Sequence, residues 1–180
     1  MRGVLNKREP KKLDRENLWG YALKSVGQRA QTSSEMRAKL GRRAADPNDV
    51  EITLAKLKEY GFLDDRRFAE TFAESRLTNQ GFGSGRAMRD LFARRVAPAL
   101  AEQSVQKVYA EQDEVVLIEA YIRRKYRTAS RETLFAEDKD MASAFRRLRM
   151  AGFSTGNVVK VLKRFASKPE LLDGMEELDE

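Results

Sequence analysis

The sequence contains neither cysteine nor histidine. The first absence excludes disulfides, thiolate zinc sites and cysteine nucleophiles. The second removes imidazole triads, imidazole proton relays and the commonest metal ligand. No stretch approaches the roughly 18 consecutive apolar residues that a membrane span needs. The first fifteen residues carry Arg2, Lys7, Arg8, Lys11, Lys12 and Arg15 but no apolar segment of a secretory signal. A cytoplasmic, soluble protein with no membrane partner is expected.

What is abundant is charge, and it is unevenly placed. Lys and Arg number 35 against 28 Asp and Glu, a net +7. Between residues 167 and 180 stand one base, Lys168, and six acids, Glu170, Asp173, Glu176, Glu177, Asp179 and Glu180. The preceding 166 residues therefore hold 34 bases and 22 acids, a net +12. A body this basic suits a polyanion, or a protein that handles one; strong charge also simply maintains solubility. The tail reads as a frayed or disordered segment able to mask that body.

Apolar spacing is helical almost throughout. Leu18, Tyr21, Ala22 and Val26 form one stripe, as do Met36 and Leu40, then Val50, Leu54 and Leu57, then Phe68, Phe72 and Ala73. Phe145 and Leu148 follow, then Val158, Val161, Leu162 and Phe165. Val115 to Ile122 is the one run that resembles a strand, and it has no hairpin partner, so it reads as a buried helix. Thr32-Ser33-Ser34-Glu35 predicts a capping box. Asp46 before Pro47 predicts a cap and a first helical residue. Gly61 predicts a left-handed stop from which Phe62 and Leu63 return to the core, and Asp64 the next cap, with Asp65 in the first turn. Gly81, Gly83 and Gly85 break the chain again, and Gly152 ends a helix before Ser154 opens the last.

An internal repeat sets the expected architecture. Met36-Arg37-x-x-Leu40-x-Arg42-Arg43 returns as Met88-Arg89-x-x-Phe92-x-Arg94-Arg95, 52 residues on. A weaker copy is Met141-x-x-x-Phe145-Arg146-Arg147, and upstream Tyr21-Ala22 and Arg29 match Phe68-Ala69 and Arg76. The expectation is an all-α protein of tandem three-helix repeats in an elongated, curved array. Its parts are a basic arm (1–13), repeats at 14–62, 63–111 and 112–166, and an acidic tail (167–180). A monomer is expected.

Arg42, Arg43, Arg94, Arg95, Arg146 and Arg147 then fall at equivalent repeat positions. A ladder of guanidinium forks suits phosphates or rows of carboxylates; a solvated helix face is the other reading. Arg123-Arg124-Lys125-Tyr126-Arg127 either grips a nucleic-acid backbone or opposes a helix dipole. Gly81-Phe82-Gly83-Ser84-Gly85 lacks the buried strand and Gly-Lys-Ser/Thr ending of a phosphate loop, so it reads as a turn. Asp64-Asp65 has no third hard ligand at a recognisable spacing and reads as capping. Trp19 reads as core rather than a base-stacking platform. No catalytic residue, cofactor loop or metal cage is found, and no enzyme is expected.

Residues 61–76, Gly-Phe-Leu-Asp-Asp-Arg-Arg-Phe-Ala-Glu-Thr-Phe-Ala-Glu-Ser-Arg, closely resemble the G-[YF]-L-[DN]-D-x-x-[FY]-A-x-x-[YF]-x-x-x-R signature of RecX regulatory proteins. Thr32-x-x-Glu35-Met36-Arg37-x-Lys39-Leu40 is similar to that family's [ST]-x-x-E-L-R-x-K-L helix. Leu148 to Leu162, with Gly152-Phe153-Ser154, is similar to its third-repeat R-R-G-F-x-x-x-x-I-x-x-x-L stretch. The similarity spans about Leu18 to Phe165. Two departures stand out: Arg95 replaces the family's usual turn glycine, and Met150-Ala151 replaces a basic pair before Gly152.

The resemblance implies a modulator of the RecA recombinase in DNA repair, recombination and the SOS response. Such a protein lies along the RecA filament on single-stranded DNA and suppresses ATP hydrolysis, strand exchange and co-protease activity. Arg42, Arg43, Arg94, Arg95, Arg123, Arg124, Arg146 and Arg147 are the expected contacts with RecA or DNA, chosen from charge and repeat position. The alternative is a direct DNA-binding protein with helix-turn-helix-like units acting without RecA. The mixed charge of Val50 to Tyr60, a candidate recognition helix, argues against it.

Overall fold

A computed structural model of the protein describes residues 11–126 and 138–165. Most of the basic arm, Arg127 and the acidic tail lie outside the described residues. Among the described residues the fold is all-α. In chain order the helices are α1 (Arg15–Gln28), α2 (Ser33–Gly41), α3 (Asn48–Glu59), α4 (Asp65–Thr78), α5 (Ser84–Ala93), α6 (Pro98–Tyr109), α7 (Glu114–Lys125), α8 (Asp138–Met150) and α9 (Thr155–Lys163). The run from Val115 to Ile122 is helical, with Ile118 and Ile122 buried.

Local chemistry places most of the boundaries. The Asp14 carboxylate accepts from the Asn17 amide at 2.9 Å and starts α1. Both halves of the Thr32–Glu35 capping box are present at α2. Helix α3 begins one residue later than expected: Pro47 is the cap position, while the Asp46 carboxylate accepts from the Asn48 amide at 2.9 Å. Gly61 adopts φ 71° and ends α3, with the Phe62 amide donating to the Leu57 carbonyl at 2.8 Å. Leu63 returns to the core, but Phe62 stays 50% exposed, contrary to expectation. Asp64 caps α4 through the Arg67 amide.

The chain divides into two compact units. The first comprises the residues up to Phe68 together with Arg94–Val96; the second comprises Ala69–Ala93 and the chain from Ala97 onward. In the first, α1, α2 and α3 pack mutually around Leu18, Ala22, Met36, Leu40, Leu54, Leu57 and Leu63. In the second, α5 packs on α6, and α9 receives α7 and α8 around Ile118, Leu148, Phe153, Val158 and Leu162.

Burial revises the register of the repeat. In α2 the fully buried pair is Met36 and Leu40, whereas in α5 it is Ala87 and Leu91. Met88 is only half-buried and Phe92 is 43% exposed. The packing register is therefore one residue short of the apparent repeat. In α8 the corresponding pair is Ala144 and Leu148. Leu91 and Leu148 are each followed, four positions on, by a residue of positive φ: Arg95 at 58° and Gly152 at 93°.

Candidate functional site

The arginine pairs do not all occupy equivalent places. Arg42 is the C-cap of α2, with Arg43 next to it. Arg94 and Arg95 follow α5, whereas Arg146 and Arg147 lie inside α8, a turn before its end. The expectation of equivalent positions is thus corrected for the third pair alone: the first two directly follow their helices, and the third lies within its helix.

Their partners differ as well. Arg94 is spent inside the first unit. Its Nε lies 2.7 Å from Glu35 Oε1, and its side chain is 28% exposed against 18% for Glu35. One terminal nitrogen donates to Glu35 Oε2 at 3.1 Å and to the Ala30 carbonyl at 3.3 Å. The guanidinium stands 5.1 Å from the centroid of Phe68, and the Arg94 carbonyl accepts from the Thr32 hydroxyl at 3.0 Å. An arginine held this way ties α2 to the segment after α5. Arg43 lies over Tyr21 at 5.3 Å. Arg124 donates to the Asn79 and Gln80 carbonyls beyond the end of α4, so it serves chain geometry in the second unit. Arg42, Arg95, Arg123, Arg146 and Arg147 are exposed and have no carboxylate partner among the described residues.

The second unit brings two of these arginines together with residues not expected from the sequence. A cleft of about 420 Å³ is lined by Phe82, Arg86, Tyr121, Arg146, Arg147 and Met150. Arg86 lies 5.4 Å from the Phe82 centroid, and Arg147 lies 5.6 Å from that of Tyr126. Phe82 and Tyr121 are in ring contact at 6.4 Å. Met150 is 64% exposed at the margin. Among the described residues no carboxylate lines this cleft; Asp90 reaches Arg86 from beside it, at 3.0 Å. Arg86, Phe82 and Met150 were missed because the first two lie at the glycine-rich turn and the third ends α8, and no sequence motif joins them.

The glycine-rich segment is a turn, and the structure explains its composition. The Gly83 amide donates to the Ala151 carbonyl at 2.9 Å, and the Gly85 amide to the Gly152 carbonyl at 3.1 Å. A Cβ on Gly83 would stand 2.4 Å from the Gly152 oxygen, and one on Gly152 only 2.0 Å from the Arg86 amide nitrogen. Backbone meets backbone here, which fixes Arg86 beside the end of α8. Tyr109 braces the same turn: its hydroxyl donates to the Phe82 carbonyl at 3.0 Å, and burial pushes its pKa up to about 12.

Asp65 is structural, accepting from the Ser33 amide at 2.7 Å. Among the described residues no group of His, Cys, Asp or Glu is placed to hold a metal ion, and no helix is long and apolar enough to cross a membrane. Trp19 is half-buried rather than fully core, with Tyr60 at 6.0 Å and the Lys56 ammonium 4.5 Å from its ring.

Fold and surface together define an all-helical protein that presents to solvent arginines without acidic partners among the described residues. Residues 64–105 match the family model described as RecX, second three-helix domain. The chain is 31% identical over 136 residues to regulatory protein RecX of Thermus thermophilus, covering 76% of this chain and 83% of that protein. It is 23% identical over 141 residues to regulatory protein RecX of Syntrophotalea carbinolica, covering 78% and 91%. The crystal structure of RecX from Lactobacillus salivarius superposes with a TM-score of 0.63 at 17% identity, covering 84% of this chain and 96% of that one. The chain belongs to the RecX family of regulatory proteins.

Proposed function

We propose that this protein binds the RecA filament on single-stranded DNA and restrains its ATPase, strand-exchange and co-protease activities. Family membership supports the partner. The observation that carries the contact chemistry is the cleft of Arg86, Arg146 and Arg147, open to solvent and lined by no carboxylate among the described residues. Guanidinium forks beside aromatic rings suit an acidic protein surface and a phosphodiester alike. The contact set is Arg42, Arg95, Arg123, Arg146 and Arg147, with Arg86 added. Arg94 and Arg124 act by holding the scaffold. In this reading the units are the three repeats at 14–62, 63–111 and 112–166, and the protein works by binding one filament state more tightly than others.

The test is RecA ATP hydrolysis on single-stranded DNA, titrated with this protein below and at equimolar ratio. Inhibition is expected on preformed filaments with excess DNA present. Inhibition that vanishes on adding DNA would mean that the basic body only sequesters the strand, and direct DNA binding would replace this reading.

A further inference from the structure

The same cleft fits a second occupant contained in the chain itself. Its lining alternates cationic and apolar surface: Arg86, Arg146 and Arg147 beside Phe82, Tyr121 and Met150. A complementary ligand is an acidic peptide with apolar residues interspersed. Residues 167–180 have that composition, with six acids against Lys168, and Leu171, Leu172, Met175 and Leu178 among them. We propose that this C-terminal segment docks in the Arg86–Arg146–Arg147 cleft of its own chain and competes there with an external polyanion.

Two further observations favour this occupant. The described chain ends at Phe165, which packs against the same core cluster as Phe82, Tyr121 and Tyr126. The fifteen residues that follow span up to about 50 Å when extended. A body the size of the second unit has a radius of gyration of only about 13 Å, so the segment reaches the cleft. A short tether of this kind gives an effective concentration in the millimolar range. That allows weak, salt-sensitive pairs to be substantially occupied. The acidic segment then raises the threshold for an outside polyanion. The competition rests on the function proposed above; the docking does not.

The absence of native cysteine permits a direct test on the full chain. Ser143, exposed on the cleft lining, and Gly174 in the tail are replaced as S143C/G174C. The control pair Q103C/G174C uses an exposed position on α6 of the same unit. Under mild oxidation the cleft pair is expected to cross-link roughly tenfold faster than the control. The difference is expected to disappear in about 0.5 M salt, which screens exposed charge. Equal rates in the two pairs would overturn the docking.

Competition is read separately, by anisotropy of a labelled oligo-dT of about 20 nucleotides. Replacing all six tail acids by their amides is expected to tighten binding roughly tenfold. R146E/R147E in that background is expected to remove the gain, with circular dichroism confirming that the helices persist. Selective cross-linking with unchanged oligo-dT affinity would leave the docking standing and overturn the competition. Neither readout contains RecA, so failure of RecA inhibition would leave the docking result intact.

Discussion

Arg95 holds a backbone conformation that its side chain opposes. At φ 58° it is the one non-glycine residue with positive φ among the described residues. The left-handed region costs an L-residue about 1–2 kcal/mol, while the extra freedom of an unfolded glycine costs about 0.4–1 kcal/mol. The first effect wins. Arg95→Gly is therefore expected to stabilise the fold by about 1 kcal/mol, seen as a higher urea midpoint at unchanged slope. A lower midpoint would show that the arginine side chain contributes more than its backbone costs. If Arg95 also contacts the filament, the same variant inhibits RecA less while being more stable. Tyr109 makes a second case. Its folded pKa is raised to about 12 from an ordinary value near 10. The folded state thus retains a proton that the unfolded state loses, so stability is full below pH 10 and falls as pH rises from 10 towards 12. Tyr109→Phe is expected to flatten that part of the denaturation profile; an equally steep loss in the variant would assign it to other groups.

At the scale of elements, two joints hold the helices in place. Gly152 combines φ 93° with a backbone approach that a Cβ would reduce to 2.0 Å from the Arg86 nitrogen. The obstacle is main chain, which cannot rotate aside. Gly152→Ala is expected to destabilise by more than about 3 kcal/mol, measured by chemical denaturation; a loss below about 1 kcal/mol would mean that the α8–α9 turn slides freely. The other joint is Glu35, which caps its own helix and also pairs with Arg94. Removing either partner takes away the shortest ion pair of a partly buried charge, with Arg29 still 3.7 Å from Glu35, so Arg94→Gln and Glu35→Gln are each expected to cost about 2 kcal/mol. The double variant is expected to cost less than the two losses added. Strict additivity would show that the pair is uncoupled. These joints also mark what was legible. The capping box, the Gly61 stop and the Asp64 cap could be read directly, because each is a contact within five residues. The Gly83–Gly152 approach and the Arg94–Glu35 pair join distant segments and left no local pattern.

At the scale of the whole molecule, charge dominates and histidine is missing. Binding of single-stranded DNA is therefore expected to depend steeply on salt and very little on pH between about 6 and 8. If the five exposed arginines contact phosphate, log affinity is expected to fall with log salt at a slope of about −3.5, roughly 130-fold between about 50 and 200 mM. A slope near zero would remove phosphate from the contact chemistry. The sequence by itself determined the all-helical class, those helix boundaries that a cap or a glycine marks, and the family, since periodicity, caps and motifs are local or compositional. Two of the readings that failed, the third arginine pair as equivalent to the others and Phe62 in the core, assumed that similar residues face similar surroundings. Only the tertiary structure decided which arginines are committed to the scaffold and which face solvent. Identical guanidinium groups acquire different roles from what lies across from them: Arg94 faces Glu35, whereas Arg146 is exposed with no carboxylate partner among the described residues, and that neighbour is set by chain segments far away in sequence.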